Sequence, residues 1–217
     1  MNNSPSIIIF LGKSGAGKDT QMELLREKMG FDFINSGDLL RERKKTEDFT
    51  GKKISQVIDC GGLILTPVIF KLWMEEFEKI KNRGDVKGII MDGSPRKIKE
   101  AYLLDEALEW YEWEKNINVI LIDISDDEAI ERIGKRRYCE KCKEIYIYDG
   151  KMENCEKCGS KLVKRPDDEI EGIKKRLAWF KEEVEPVINH YKETGHLKVI
   201  NGEQEIEKVF EDILKAL

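Results

Sequence analysis

Histidine is almost absent from this chain, at two of 217 residues. His190 and His196 both fall in the C-terminal part, away from every motif described below. They are read as surface or packing residues, not as catalytic bases or metal ligands. No apolar run approaches the ~20 residues of a membrane span, so no membrane partner is expected. A basic excess is missing too. The formal net charge is −5, which removes the overall electrostatic footprint of a nucleic-acid binder and leaves any polyanion to local Arg and Lys clusters. Residues 1–6 lack the basic start and apolar stretch of a secretion signal, so the cytoplasm is the expected location. Internal repeats and low-complexity tracts are also lacking. What is present is a globular composition, 40% hydrophobic and 37% charged, long enough for one domain (1–217) with an insertion or two. Nothing marks an interface, and a monomer is expected.

Short apolar runs alternate with helical patterns. Ile7-Ile8-Ile9-Phe10-Leu11 reads as a buried parallel strand. Further strands are expected at 31–35, 88–91, 119–124 and 197–200. Helices are expected at 18–29, 38–43, 54–60, 67–81, 98–114, 126–137 and 167–194, with a last one from 204. Pro186 should break or kink the long one. This order predicts an α/β fold: a parallel five-stranded sheet with helices on both faces. Trp110, Trp113 and Trp179 lie on helical stretches and are expected to pack, and Cys60 reads as a small apolar filler.

Between the first strand and the first helix stands Gly12-Lys13-Ser14-Gly15-Ala16-Gly17-Lys18-Asp19-Thr20. Glycines let backbone N–H groups turn toward phosphate oxygens, the helix start adds partial positive charge, and Lys18 adds a full one. Gly15, Ala16, Gly17, Lys18, Asp19 and Thr20 are the candidate nucleotide-phosphate residues. The other four cysteines form two Cys-x2-Cys pairs, Cys139/Cys142 and Cys155/Cys158, twelve residues apart. Without a secretion signal, such pairs argue for metal before disulfides. Two knuckles complete a tetrahedron for one structural Zn²⁺ with no open position. The interval carries a hairpin signal, Asp149-Gly150 between β-formers.

With these motifs placed, the sequence resembles adenylate kinase along nearly its whole length. The resemblance implies ATP and AMP as partners, Mg²⁺ with ATP, and no nucleic acid. It implies that Arg41, in Asn35-Ser36-Gly37-Asp38-Leu39-Leu40-Arg41, holds the AMP phosphate and that the hydroxyl of Ser36, beside Gly37, faces the nucleotide. The backbone of Gly62-Leu63-Ile64 would lie along the acceptor base. In Asp92-Gly93-Ser94-Pro95-Arg96, Arg96 would hold the acceptor phosphate and Asp92 would bind Mg²⁺ through water, with Gly93 between them. Glu100 occupies the place of a Gln that reads adenine. Arg132 matches an arginine packed on the ATP base, and Arg136 one that pairs with its phosphates. Arg165, in Arg165-Pro166-Asp167-Asp168, and Arg176 match two more catalytic arginines. Gln204 falls where a backbone carbonyl meets the ATP base. The family also includes members with a zinc-bearing lid.

Three positions depart from the family pattern. Asp19 replaces Gly, Ser94 replaces an aromatic residue, and Glu100 replaces Gln. An ionised Glu only accepts hydrogen bonds, which suits the two donors of guanine better than adenine. Residue chemistry therefore leans toward GMP, with UMP or CMP behind it, while the resemblance leans toward AMP. Two non-enzymatic readings are a zinc-ribbon binding module and a nucleotide sensor without turnover. The acidic net charge and the spaced arginines argue against both. In physical terms, a transferring phosphoryl group spreads negative charge, and Lys18, Arg96, Arg132, Arg136, Arg165 and Arg176 supply six cations to meet it. Guanidinium forks suit this better than ammonium groups. Water must be excluded, and two insertions are expected to do so: residues 36–66 over the acceptor and residues 138–164 over ATP.

Overall fold

The computed structural model describes residues 4–59, 62–142, 144–148, 150–164 and 168–217, without the side chain of Asp59. Its central sheet is wholly parallel and built from β1 (Ser6–Leu11), β2 (Asp32–Asn35), β3 (Gly88–Asp92), β4 (Ile117–Asp123) and β8 (Leu197–Asn201), in the order β2-β3-β1-β4-β8. The chain leaves β1 toward one edge and later returns to build the other. The crevice beyond the carboxyl end of β1 is therefore the place where a ligand is expected in such sheets.

Side-chain alternation divides the core in two. Ile7, Ile9 and Leu11 of β1 join one layer with Trp73 and Phe77 of α4 (Thr66–Arg83), Leu104 and Leu108 of α5 (Ile98–Trp110), and Val187 and Tyr191 of α8 (Glu185–Glu193). Ile8 and Phe10 join the other with Met22 and Leu25 of α1 (Lys18–Met29), Ala129 of α6 (Asp126–Lys135), and Val209 and Ile213 of α9 (Ile206–Ala216). Both faces of β1, β3 and β4 are covered, which is why those strands read as continuous apolar runs. Two short helices, α2 (Ser36–Arg43) and α3 (Phe49–Asp59), lie between β2 and α4. A separate antiparallel sheet, β6-β5-β7, is made of β5 (Arg136–Cys139), β6 (Ile145–Ile147) and β7 (Leu162–Val163).

Several elements differ from the sequence expectation. Arg136 and Arg137 open β5 instead of closing α6, because the chain turns extended at Arg136 (φ −65°, ψ 135°). The hairpin pairs β5 with β6 around the first cysteine knuckle, closed by the Cys139 N–H donating to the Glu144 carbonyl at 2.9 Å. The Asp149-Gly150 signal does not set that pairing, and Asp149 lies outside the described residues. The long C-terminal helix is split. A π-helical turn, Phe180–Val184, separates α7 (Ile170–Trp179) from α8. Pro186, at the start of α8, has no N–H to donate, and the widened turn ends directly before that helix. Trp113 is buried and stacks on Tyr111 at 5.1 Å, but Trp110 is 76% exposed. The buried positions of α5 are Glu100, Ala101, Leu104, Ala107 and Leu108, and Trp110 falls off that stripe. Cys60 lies outside the described residues. His190 packs between α5 and α8, its Nε2 2.6 Å from Asp105 Oδ2.

Candidate active site

The loop from β1 to α1 is shaped by glycine. Gly12, at φ +150°, runs so close to β4 that a Cβ there would sit 2.6 Å from the Ile122 carbonyl oxygen. Gly17, at φ +84°, caps α1 without a side-chain acceptor, so the first-turn N–H groups stay available to an anion. Lys18 donates from Nζ to the carbonyls of Gly12 at 2.8 Å and Lys13 at 2.9 Å. A third N–H remains for a ligand oxygen. Burial lowers the Lys18 pKa, against Asp19 and Asp92, which raise it; Arg96 and Arg136 also lower it. Lys18, Asp19, Asp92, Arg96 and Arg136 therefore share one electrostatic neighbourhood.

Asp92 ends β3, and its Oδ2 accepts from the Asn35 side-chain amide. Asn35 also caps α2, its Oδ1 accepting the Asp38 N–H at 2.8 Å. Burial and the charge of Asp19 push the Asp92 carboxyl up to about 6, against Lys18 and Arg96. A carboxylate with no ion pair among the described residues, disfavoured in its charged form, fits a site for a cation.

On the side expected to take the acceptor, Gly93 takes φ +72°, and a Cβ there would meet Arg96 Nη2 at 3.2 Å. The small residue gives the guanidinium its place. Arg96 has no carboxylate partner among the described residues, and its guanidinium lies 5.9 Å from the centre of the Trp179 ring. Glu100 is 4% exposed, and its Oε2 accepts the Arg96 N–H at 2.7 Å. Burial raises its pKa, and that hydrogen bond opposes the rise. Glu100 thus fastens the start of α5 as well as facing this side. Ser36 Oγ is buried and accepts the Trp73 indole N–H at 2.9 Å. Arg41 is turned onto its own helix, 2.6 Å from Asp38, with a 60% exposed side chain. Gly37 sits against that guanidinium. Gly62, Leu63 and Ile64 lie outside regular structure between α3 and α4, and Gly62 N–H donates to Val57 O at 2.8 Å.

On the other side, Arg132 donates to Glu128 at 2.6 Å and to the Gly202 carbonyl at 2.9 Å, tying α6 to the β8–α9 loop. Gln204 lies on that loop and donates to Asn201 O at 2.8 Å. Arg136 makes a two-pronged pair with Asp168, at 3.0 Å and 2.6 Å. Arg176 reaches the same carboxylate at 2.7 Å. The Asp168 side chain is 0% exposed. Burial alone would raise its pKa, but the Arg136 and Arg176 hydrogen bonds hold it below the usual range. Sequence reasoning did not single out Asp168. Its signal was the Arg-Pro-Asp-Asp run, an acidic residue eight positions before a matched arginine. Arg165, Pro166 and Asp167 lie outside the described residues.

The four thiols of Cys139, Cys142, Cys155 and Cys158 lie within 4.8 Å of one another and could hold a metal ion. Sγ separations are 3.3 Å (Cys139–Cys158), 3.4 Å (Cys142–Cys155) and 3.6 Å (Cys142–Cys158). They exceed a disulfide bond of about 2 Å and approach the ~3.8 Å edge of a zinc–thiolate tetrahedron. Tyr146 O–H lies 3.2 Å from Cys155 Sγ, a hydrogen-bonding group beside the cluster.

The family model described as adenylate kinase matches residues 10–196. An adenylate kinase of Elusimicrobium minutum is 38% identical over 97% of this chain and 98% of its own length. One from Archaeoglobus fulgidus is 36% identical over 95% of each chain. One from Chlamydia trachomatis serovar D is 33% identical over the whole of this chain and 92% of its own.

Asp92 sets a pH test. Its folded pKa, about 6, lies above the unfolded value of about 4, so the ionised carboxyl costs stability at pH 7. The cost fades as pH falls from about 6 to 4. Asp92→Asn, without added metal or nucleotide, should be more stable than the wild type at pH 7 by about 2–3 kcal/mol, and the gain should shrink toward zero at pH 4. Urea unfolding at both pH values measures it. A gain that does not depend on pH rejects the burial argument.

Proposed function

The chain belongs to the adenylate kinase family, and on that premise we propose how its residues divide the reaction. The activity is that of a nucleoside monophosphate kinase: an oxygen of the AMP phosphate attacks the γ-phosphorus of ATP, the bond to the β–γ bridging oxygen breaks, and two ADP result. No bond to the enzyme is formed, so positioning and charge carry the catalysis. Lys18 and the N–H groups of residues 15–20 bind the ATP phosphates. Arg136 and Arg176 approach the transferring group, Arg132 packs on the ATP base, and the Gln204 carbonyl meets that base. Arg96 and Arg41 grip the acceptor phosphate, and Arg165 joins the catalytic set. Ser36, Gly37, Gly93 and the backbone of Gly62, Leu63 and Ile64 line the acceptor. Mg²⁺, held through water by Asp92, would draw charge off the phosphates.

The observation that carries this division is the shared neighbourhood of Lys18, Asp92, Arg96 and Arg136, joined through Asp168 to Arg176. Arg41 must leave Asp38 to serve, which fits residues 36–66 moving as an acceptor flap. Residues 138–164 act as the lid over ATP, and Cys139, Cys142, Cys155 and Cys158 would hold a structural Zn²⁺ that stiffens it. Among the described residues no helix is long and apolar enough to cross a membrane. A cytoplasmic monomer is the remaining part of the proposal; the cysteines, arranged for metal rather than for disulfides, support the compartment.

The acceptor base turns on Glu100. Its Oε2 accepts the Arg96 N–H, and burial raises its pKa, which shifts the balance toward the protonated form. A protonated carboxyl would offer adenine N1 and its amino group the donor and acceptor that a Gln gives. kcat/KM for AMP should exceed that for GMP by at least about tenfold, and Glu100→Gln should keep or improve AMP use. A tenfold preference for GMP would reject AMP as the acceptor. Metal analysis of purified protein should find one zinc for four cysteines, and chelation should loosen residues 138–164 more than the sheet. Less than about a tenth of an equivalent, with all thiols freely titratable, would remove the metal site.

A further inference from the structure

Arginines in this site are mostly held by carboxylates. Arg41 pairs with Asp38, Arg132 with Glu128, and Arg136 and Arg176 with Asp168. Arg96 differs: among the described residues its guanidinium has no carboxylate, and it lies over the Trp179 ring at 5.9 Å. Trp179 is the last residue of α7, one turn beyond Arg176, and the π-helical turn begins directly after it. Positions three apart share a helix face. One face of α7 thus reaches the Arg136–Asp168 pair with Arg176 and Arg96 with Trp179.

The indole is an expensive choice for packing alone. Its Nε1 is buried without a hydrogen-bond partner among the described residues. An apolar side chain would fill the space and leave no donor unpaired. What the indole adds is the strongest cation-attracting face among side chains. A carboxylate would neutralise Arg96 and compete with the incoming phosphate. A ring face holds the guanidinium in place while leaving its charge and its N–H groups free.

We infer that Trp179 is a positioning residue for acceptor binding, holding Arg96 on its ring face in a phosphate-ready orientation. This rests on the reading of Arg96 as the acceptor-phosphate arginine. The test is steady-state kinetics of Trp179→Leu, Trp179→Phe, Arg96→Met and the Trp179→Leu/Arg96→Met double variant, with AMP and ATP varied separately. Trp179→Leu should raise KM for AMP about tenfold and leave KM for ATP within about twofold. Trp179→Phe, which keeps a ring, should recover much of the loss. In the Arg96→Met background, Trp179→Leu should add less than about twofold, because the interaction is already gone. If Arg96→Met leaves KM for AMP unchanged, the acceptor reading of Arg96 fails. If Arg96→Met raises it and Trp179→Leu does not, or Trp179→Leu raises both KM values alike, Trp179 is not the positioning group. The emission of Trp179, taken as wild type minus Trp179→Phe, gives a second readout that needs no leucine variant. It should change on adding AMP, and an unchanged signal overturns the inference.

Discussion

Gathering several cations around one small volume is unfavourable unless something opposes their repulsion. The buried Asp168 carboxylate does this for two of them, accepting from both Arg136 and Arg176 at 2.6 Å and 2.7 Å. Removing one member of such a buried group costs about 3–5 kcal/mol, because the remaining charges are left uncompensated. Asp168 also joins β5 to α7, so the same contact that balances charge ties the start of the small sheet to that helix. Asn35 has a parallel role at the ends of β2 and β3, capping α2 with one side-chain atom and holding Asp92 with another.

The rest of the fold serves this concentration of charge. A doubly covered parallel sheet brings the ends of β1 and β3 side by side, with Ile9 opposite Met91. The phosphate loop and Asp92 are therefore neighbours before any side chain is chosen. Glycines at 12, 17 and 93 allow close approach of backbone to backbone, of N–H groups to an anion, and of Arg96 to its own turn. The site is held in an unfavourable electrostatic state: Lys18 is lowered by burial and Asp92 is raised by it. Phosphate and a divalent cation, as proposed above, would reduce both departures by bringing the opposite charges.

The fold was largely legible because parallel strands covered on both faces read as apolar runs, as β1, β3 and β4 do. The more polar edge strands β2 and β8 still fall where strands were expected, at 31–35 and 197–200. The cysteine cluster was legible because two-residue knuckles allow few geometries. What sequence patterns hid has physical causes. Arg136 looks helical from its neighbours, but tertiary pairing in β5 draws it extended. Trp110 looks like core by its type, and only the stripe of α5 shows that it faces outward. Asp168 and Trp179 gain importance only from residues distant in sequence. Asp168 lies 32 positions from Arg136, and no local pattern states that separation. Glu100 looks like a free base reader, and its hydrogen bond to the Arg96 N–H gives it a structural role as well.

The central claim is that turnover comes from fixed positive charge meeting the phosphates of ATP in a water-poor site, and Lys18 is the most direct probe of it. The measurement is kcat for ADP formation from ATP and AMP by Lys18→Met, with far-ultraviolet circular dichroism on the same sample. The account predicts a fall in kcat on the order of a thousandfold with an unchanged spectrum; near-normal turnover by a normally folded variant would contradict it.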